Sequence, residues 1–300
     1  MNLEPFAGEA KRQGLKVESL VVYQKGREEA RRFRAPDQTG IEARRNIRSV
    51  AKIFASIAIG MAIDEGKLRL SDRVRKFFPC EESEDPLQAA RWDSLCLEHL
   101  LTMTMGHAGL SRPETVEEAL SYRLSRTPGS VFSYDNTCTF LASAMLTKAT
   151  GLKLRDYLLD RLFRPLGIPD PEWAESRDSY TIGATGLFLT TSEMALFGRF
   201  LLQRGNWEGK QLVSAAWIDG ATRTQVATRA GSSAYNLGYG YHFWICPHGA
   251  YRAEGRGGQF IVVFPALEAA IAVSSDEENN AAILNAVWEY LLPELEINNP

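Results

Sequence analysis

Four cysteines in 300 residues, at Cys80, Cys96, Cys138 and Cys246, are too dispersed for a disulfide framework and form no Cys-x-x-Cys pair. His99 and His107 lie near Cys96, but at a spacing that fits no zinc site, so no metal is expected. The longest apolar run, Val50–Ile63, is too short to cross a bilayer, which argues against a membrane role. The first residues lack a basic segment leading into an apolar one, so the expectation is no signal peptide and a cytoplasmic location. Neither sign of charge dominates: 34 Lys and Arg face 37 Asp and Glu, and a net charge of −3 argues against a general nucleic-acid binder. Basic residues do gather at Arg31, Arg32, Arg34, Arg44, Arg45 and Arg48, as a solvated surface or as a patch that attracts an acidic substrate. No internal repeat or low-complexity tract is present.

What remains is the composition of an ordinary globular protein, 45% hydrophobic and 24% charged, long enough for a large core. A short helix is expected over residues 3–13. Lys16–Tyr23 and Glu28–Phe33 read as a hairpin turning at Lys25-Gly26. From Gly66 to about residue 230 the texture is short helices and loops: 71–78, 97–104, 115–126, 136–150, 154–163, 190–202 and 214–222. Thr190-x-x-Glu193 is a capping box. Strand texture returns at Leu237–Ile245, Phe260–Phe264 and Ala269–Ser274, and 279–292 closes as a helix. Strands at both ends with helices between predict an α+β fold with a discontinuous sheet domain, 1–48 plus 231–300, and a mainly helical domain, 49–230, with the active site at their junction.

Within the helix predicted over 49–65, the chain's only Ser-x-x-Lys places Ser49 and Lys52 on one face. Lys52 is the only charge between Val50 and Ile63, and a helix apolar on all sides is a buried helix. Desolvation lowers a lysine's pKa from about 10.4. A hydroxyl beside a partly neutral amine, at the positive end of a helix, is a candidate nucleophile. The tetrad alone leaves open a capping serine and a lysine that snorkels to water.

Two further pieces carry chemistry. The only Tyr-x-Asn, Tyr134-Asp-Asn136, sits on a loop before a helix. A tyrosine beside a lysine can lose its phenolic proton more easily and serve as general base, and an asparagine two residues on can donate to a substrate carbonyl; a tyrosine that anchors the loop is the other reading. In Tyr251-Arg-Ala-Glu-Gly-Arg-Gly-Gly-Gln-Phe260, three glycines between strands permit close approach and free N–H groups for an oxyanion. A plain glycine-rich hairpin turn is the other reading of that stretch.

In this order and spacing the three pieces resemble the serine β-lactamases and penicillin-recognising enzymes, whose first motif is Ser-x-x-Lys. The likeness is to the branch holding class C β-lactamases, D-aminopeptidases, carboxylesterases and 6-aminohexanoate-dimer hydrolase. Asp64–Asp72, Glu98–Gly106, Phe163–Gly167, Gly186–Glu193 and Gly257–Ile261 share it, so it runs from about residue 20 to 290. The resemblance implies a β-lactamase/transpeptidase-like fold: an antiparallel sheet flanked by N- and C-terminal helices, with an inserted helical domain.

It also implies Ser49 as nucleophile, Lys52 as its proton-handling partner, Tyr134 as general base and Asn136 as a contact for the acyl side. The third motif, Lys-Thr-Gly in β-lactamases, aligns with Ala253-Glu254-Gly255, which puts the N–H of Arg256 in the oxyanion hole with that of Ser49. The frame Arg256-Gly257-Gly258 is the alternative, with Gln259 as donor. Either way the Lys-Thr pair that grips a β-lactam carboxylate is missing. The implied function is a serine esterase or amidase without cofactor; a β-lactamase or D-amino-acid peptidase, or a penicillin-binding or sensor-like module that is acylated but not turned over, are the alternatives. The implied partner is a small ester, amide or lactam, and Arg48 and Arg256 point to an anionic group on it.

Overall fold

Local signals near the start of the chain set its first elements. Pro5 opens helix α1 (Glu4–Gln13) and Gly14, in left-handed conformation at φ 65°, ends it, burying Phe6, Ala7 and Ala10. Lys25 and Gly26 both take positive φ, 47° and 82°, the backbone of a two-residue turn whose twist matches its strands. They join β1 (Val17–Gln24) to β2 (Arg27–Arg32). The computed structural model describes residues 1–33, 43–79, 84–228 and 235–298. Arg34 and Cys80 lie outside the described residues.

Arg48–Val50 form a single 3₁₀ turn that runs into α2 (Ala51–Asp64), and every residue of α2 from Ala51 to Ala62 is buried. That follows from its sequence, which offers no polar face to water. Gly60 lets the Trp217 ring lie across the helix: a Cβ there would stand 2.3 Å from Cδ1 of an indole already stacked on Tyr241. Helix α3 (Asn136–Thr150) begins where Asp135 accepts from the N–H of Thr137 and ends at left-handed Gly151. Helix α4 (Thr191–Leu202) carries the Thr190–Glu193 capping box in both directions.

The remaining strands of the main sheet come from the far end of the chain: β3 (Gly238–Tyr239), β4 (Trp244–Ile245), β5 (Tyr251–Gly255), β6 (Gln259–Phe264) and β7 (Ala269–Ser275). All pairs are antiparallel, in the order β2-β1-β7-β6-β5-β4-β3. The run Leu237–Ile245, which reads as one strand, is instead a tight hairpin. His242 takes φ 69° and the Gly240 N–H donates to Phe243 O at 2.8 Å, which turns the chain back.

Alternation along the strands gives the sheet two buried faces. Leu20, Val22, Phe260, Val262, Ile271 and Val273 share a core with α1 and the C-terminal helix, which starts as α5 (Asn280–Ala286) and continues to Ile297. Val21, Ile261, Val263, Ala270 and Ala272 face the larger core with α2, α3 and α4. Small residues set the spacing there: a Cβ on Gly198 of α4 would come within 2.9 Å of the Ala270 Cβ. The fold is thus α+β, an antiparallel sheet flanked by the terminal helices with a long helical segment between its strands.

Candidate active site

The Ser49 turn is held from outside the helix it starts. Arg45–Asn46 pairs with Phe188–Leu189, and the Ile47 N–H donates to Leu187 O at 2.9 Å. Asn46 Oδ1 accepts from the N–H of Arg48 at 2.9 Å and of Gly186 at 3.2 Å. One side chain thereby ties the turn to the segment that follows Ala184. Arg48 is left in the left-handed region at φ 55°, a strained position for a non-glycine residue just before the serine.

Lys52 is 1% exposed, and its Nζ donates to Ser49 Oγ at 3.0 Å, Asn136 Oδ1 at 2.8 Å and Ala184 O at 2.9 Å. Three acceptors match the three protons of an ammonium. Burial nevertheless lowers its pKa from 10.5 to about 7, against the opposing pull of Cys138 and Asp135 and with help from Arg112.

Tyr134 lines the same cavity as Ser49. Its ring stacks on Trp244 at 5.8 Å and 13°, meets Tyr239 edge-on at 6.3 Å, and lies 4.9 Å from Lys52 Nζ. Burial raises its pKa above the ordinary value, opposed by the Ser49 side chain and reinforced by Glu254. This direction is opposite to the easier proton loss expected beside a lysine: burial against Trp244 and Tyr239 is its largest cause.

Asp135, between Tyr134 and Asn136, is fully buried. It accepts from the N–H groups of Thr137 and Ser111, each at 3.0 Å, and pairs with His107 at 2.9 Å. Asn136 Nδ2 donates to Ser111 O at 3.1 Å. The loop 107–111 and the start of α3 are therefore fastened to each other just where Tyr134 and Asn136 meet Lys52.

Gly255, at the end of β5, abuts the same turn: a Cβ there would stand 2.6 Å from Ile47 O and 3.1 Å from the Arg48 Cβ. Arg256, with Ser49, Tyr134, Trp244, Arg252 and Glu254, lines a cavity of about 530 Å³. Gly257 and Gly258 form the turn beyond, at φ 86° and 72°, and Gly258 faces Ile283 and Ser275 rather than Ser49. The structure thus brings together Ser49, Lys52, Tyr134, Asn136, Gly255 and Arg256, and leaves the last two glycines outside. A second cavity, of about 310 Å³, lies behind Asn136 and Ala184 and reaches Phe140, Ile182 and Arg112. Among the described residues no group of three or more His, Cys, Asp or Glu is placed to hold a metal. Of the basic cluster, Arg31, Arg44 and Arg45 are bound to Glu4, Glu193 and Glu18.

Asn46, Asp135, Trp244 and the carbonyl of Ala184 were not marked by the sequence motifs. Asp135 has a legible signal as the cap of α3; Ala184 acts through backbone and has none.

A seven-stranded antiparallel sheet between terminal helices and a helical segment, with Ser49 at the head of a buried helix, is the β-lactamase/transpeptidase-like fold. The chain belongs to the beta-lactamase family, whose model matches residues 6–292. A beta-lactamase of Escherichia coli (strain K12) is 30% identical over 125 residues, 39% of this chain and 32% of that protein. Penicillin-binding protein 4 of Amycolatopsis lactamdurans is 30% identical over 130 residues, 40% and 33% of the two chains. The match therefore spans about a third of those curated relatives. A putative 6-aminohexanoate-dimer hydrolase from Bacillus anthracis superposes with a TM-score of 0.78 at 19% identity, covering 97% of this chain and 80% of that one. A putative beta-lactamase from Bacteroides dorei gives 0.75 at 16% identity, covering 96% and 98%. Among the described residues no helix is long and apolar enough to cross a membrane.

Proposed function

We propose that the chain is a serine hydrolase that cleaves an ester or amide through an acyl-enzyme on Ser49. The observation that carries this reading is the seat of Lys52: an amine with a pKa lowered to about 7, 3.0 Å from the serine hydroxyl. Neutral Lys52 takes the Ser49 proton, with the Tyr134 phenol in the relay, as Oγ bonds to the substrate carbonyl carbon. The carbonyl electron pair moves to oxygen, where the N–H groups of Ser49 and Arg256 hold it at the positive end of α2. Collapse expels the leaving group, which takes the proton back from Lys52 through Tyr134. Water then attacks the ester carbon and passes a proton to Lys52; collapse breaks the Oγ–carbon bond, Ser49 Oγ takes that proton back, and the acid leaves. Asn136 holds the acyl side, next to the 310 Å³ cavity. The close packing of Gly255 on the Ser49 turn supports the Ala253-Glu254-Gly255 frame for the third motif. No step calls for a cofactor.

Incubation with a p-nitrophenyl acyl ester and intact-mass measurement tests this. The wild type is expected to gain one acyl mass and release p-nitrophenol continuously, and Ser49→Ala to do neither. Equal turnover by a folded Ser49→Ala protein would overturn the reading. A β-lactam or D-amino-acid peptide is the second substrate reading, supported by the 30% identity to the E. coli beta-lactamase over 125 residues. Ala253 and Glu254 in place of Lys-Thr speak against efficient β-lactam hydrolysis, so a chromogenic cephalosporin is expected to be opened slowly. An adduct on Ser49 that persists for hours would favour a sensor-like module.

A further inference from the structure

We infer that Glu254 selects against a carboxylate on the substrate's leaving group. The inference rests on the acyl-enzyme reading above and refines the expectation of an anionic substrate. If Tyr134 passes the proton to the departing atom, the leaving group lies on the Tyr134 side of Ser49. Tyr134 also borders a cavity toward His107 and Phe132, but the one it shares with Ser49 is walled by Trp244, Arg252 and Glu254, and the acyl chain lies toward Asn136 and Ala184.

In that wall the cation is behind and the anion in front. The Arg252 side chain is 1% exposed, against 26% for Glu254, to which it is paired at 2.9 Å. Each of its nitrogens is already engaged: Nε with Glu254 Oε2, Nη1 with Tyr235 O and Cys246 Sγ, Nη2 with Asn236 Oδ1 and Glu254 Oε2. No donor is left to form a fork with a substrate carboxylate. Glu254 is fixed from its other oxygen as well, since Asn280 Nδ2 donates to Oε1 at 3.1 Å and to Gly255 O at 3.0 Å. What the leaving group meets is a held carboxylate beside Trp244, whose ring is already stacked by Tyr134 and overlain by Arg252, so the open charge on that wall is the anion of Glu254, which repels an anionic group and tolerates a neutral or cationic one. Arg256 lines the same cavity, but Glu278 does too, so the pair leaves the wall without net positive charge.

Three esters of one short acyl group test this, with 4-hydroxybenzoate, 4-methylphenol and tyramine as anionic, neutral and cationic leaving groups. The quantity read is the kcat/KM ratio of anionic to neutral ester, compared between wild type and variant so that intrinsic reactivity cancels. Glu254→Gln is expected to raise that ratio about tenfold or more and to lower the cationic-to-neutral ratio, with both changes shrinking in high salt. The double variant Arg252→Leu/Glu254→Gln guards against misfolding around an unpaired arginine and is expected to raise the ratio as well. A ratio within about twofold of wild type in both folded variants overturns the inference. If turnover of the neutral ester instead survives Ser49→Ala, the acyl-enzyme reading fails, an outcome separate from the charge ratios.

Discussion

Lys52 links the chemistry and the stability of this protein through one proton. With a pKa of about 7, kcat/KM is expected to rise with pH through about 7, and Tyr134, held above its ordinary value, adds no second ionisation in that range. A pH profile of ester hydrolysis checks this; a flat profile between pH 6 and 8 contradicts it. The same shift carries a stability cost. A lysine at 10.5 unfolded and about 7 folded must lose its proton, or keep it against burial, which costs roughly 5 kcal/mol when both states are charged. That cost is complete below pH 7, fades between about 7 and 10.5, and is absent above. Lys52→Met is therefore expected to abolish turnover while raising the melting temperature near pH 6, with the gain shrinking toward pH 10. At this scale Ser49, Lys52, Tyr134 and Asn136 were legible because their chemistry lies in side chains at short spacings. The direction of the Tyr134 shift was not, since Trp244 and Tyr239 reach it from a distant part of the sequence.

Among elements, the joint between β5 and the Ser49 turn is the most sensitive. Gly255→Ala puts a methyl group 2.6 Å from Ile47 O, and neither backbone can yield without moving Ser49 or Arg256. The expected result is a loss of about 10²-fold in kcat for a modest fall in melting temperature, because catalysis feels a shift of about 1 Å more than folding does. Steady-state kinetics beside calorimetry separates the two. Helices with strong end signals were legible here: α3 by Asp135 and Gly151, α4 by its capping box. The helix expected over 115–126 stops at Ser121 because Leu124 leaves it to exchange two hydrogen bonds with the Gln88 side chain, at 2.9 and 2.8 Å. Gln88 belongs to a helix, Pro86–Ser94, whose mixed sequence offers little apolar periodicity, although Asp85 caps it and Pro86 opens it.

Over the whole molecule, the sheet's two faces separate catalysis from support. Phe6 of α1 is fully buried in the core away from Ser49 and meets Phe33 edge-on at 6.1 Å. Phe6→Ala is expected to cost about 3–5 kcal/mol in chemical denaturation while leaving KM unchanged. A change in KM beyond twofold would show that the two faces are coupled. The α+β class was legible from strand texture at both ends of the chain, but the order of strands was not. Nothing in the local pattern of Val17–Gln24 says that its partner is Ala269–Ser275.

That pairing bears on how the protein is made. Of the strands of the main sheet β1 and β2 are made first, yet β1 waits for its second neighbour some 250 residues later, Val17 opposite Ser275. During synthesis the apolar edge of β1 and the whole of α2 exist without the strands that cover them, a state prone to mispairing and slow to resolve. Ser49 and Lys52 are translated some 200 residues before β5 and the N–H of Arg256. A nascent chain arrested before residue 250 is thus expected to be inert toward esters and to become active only as the final strands close the sheet.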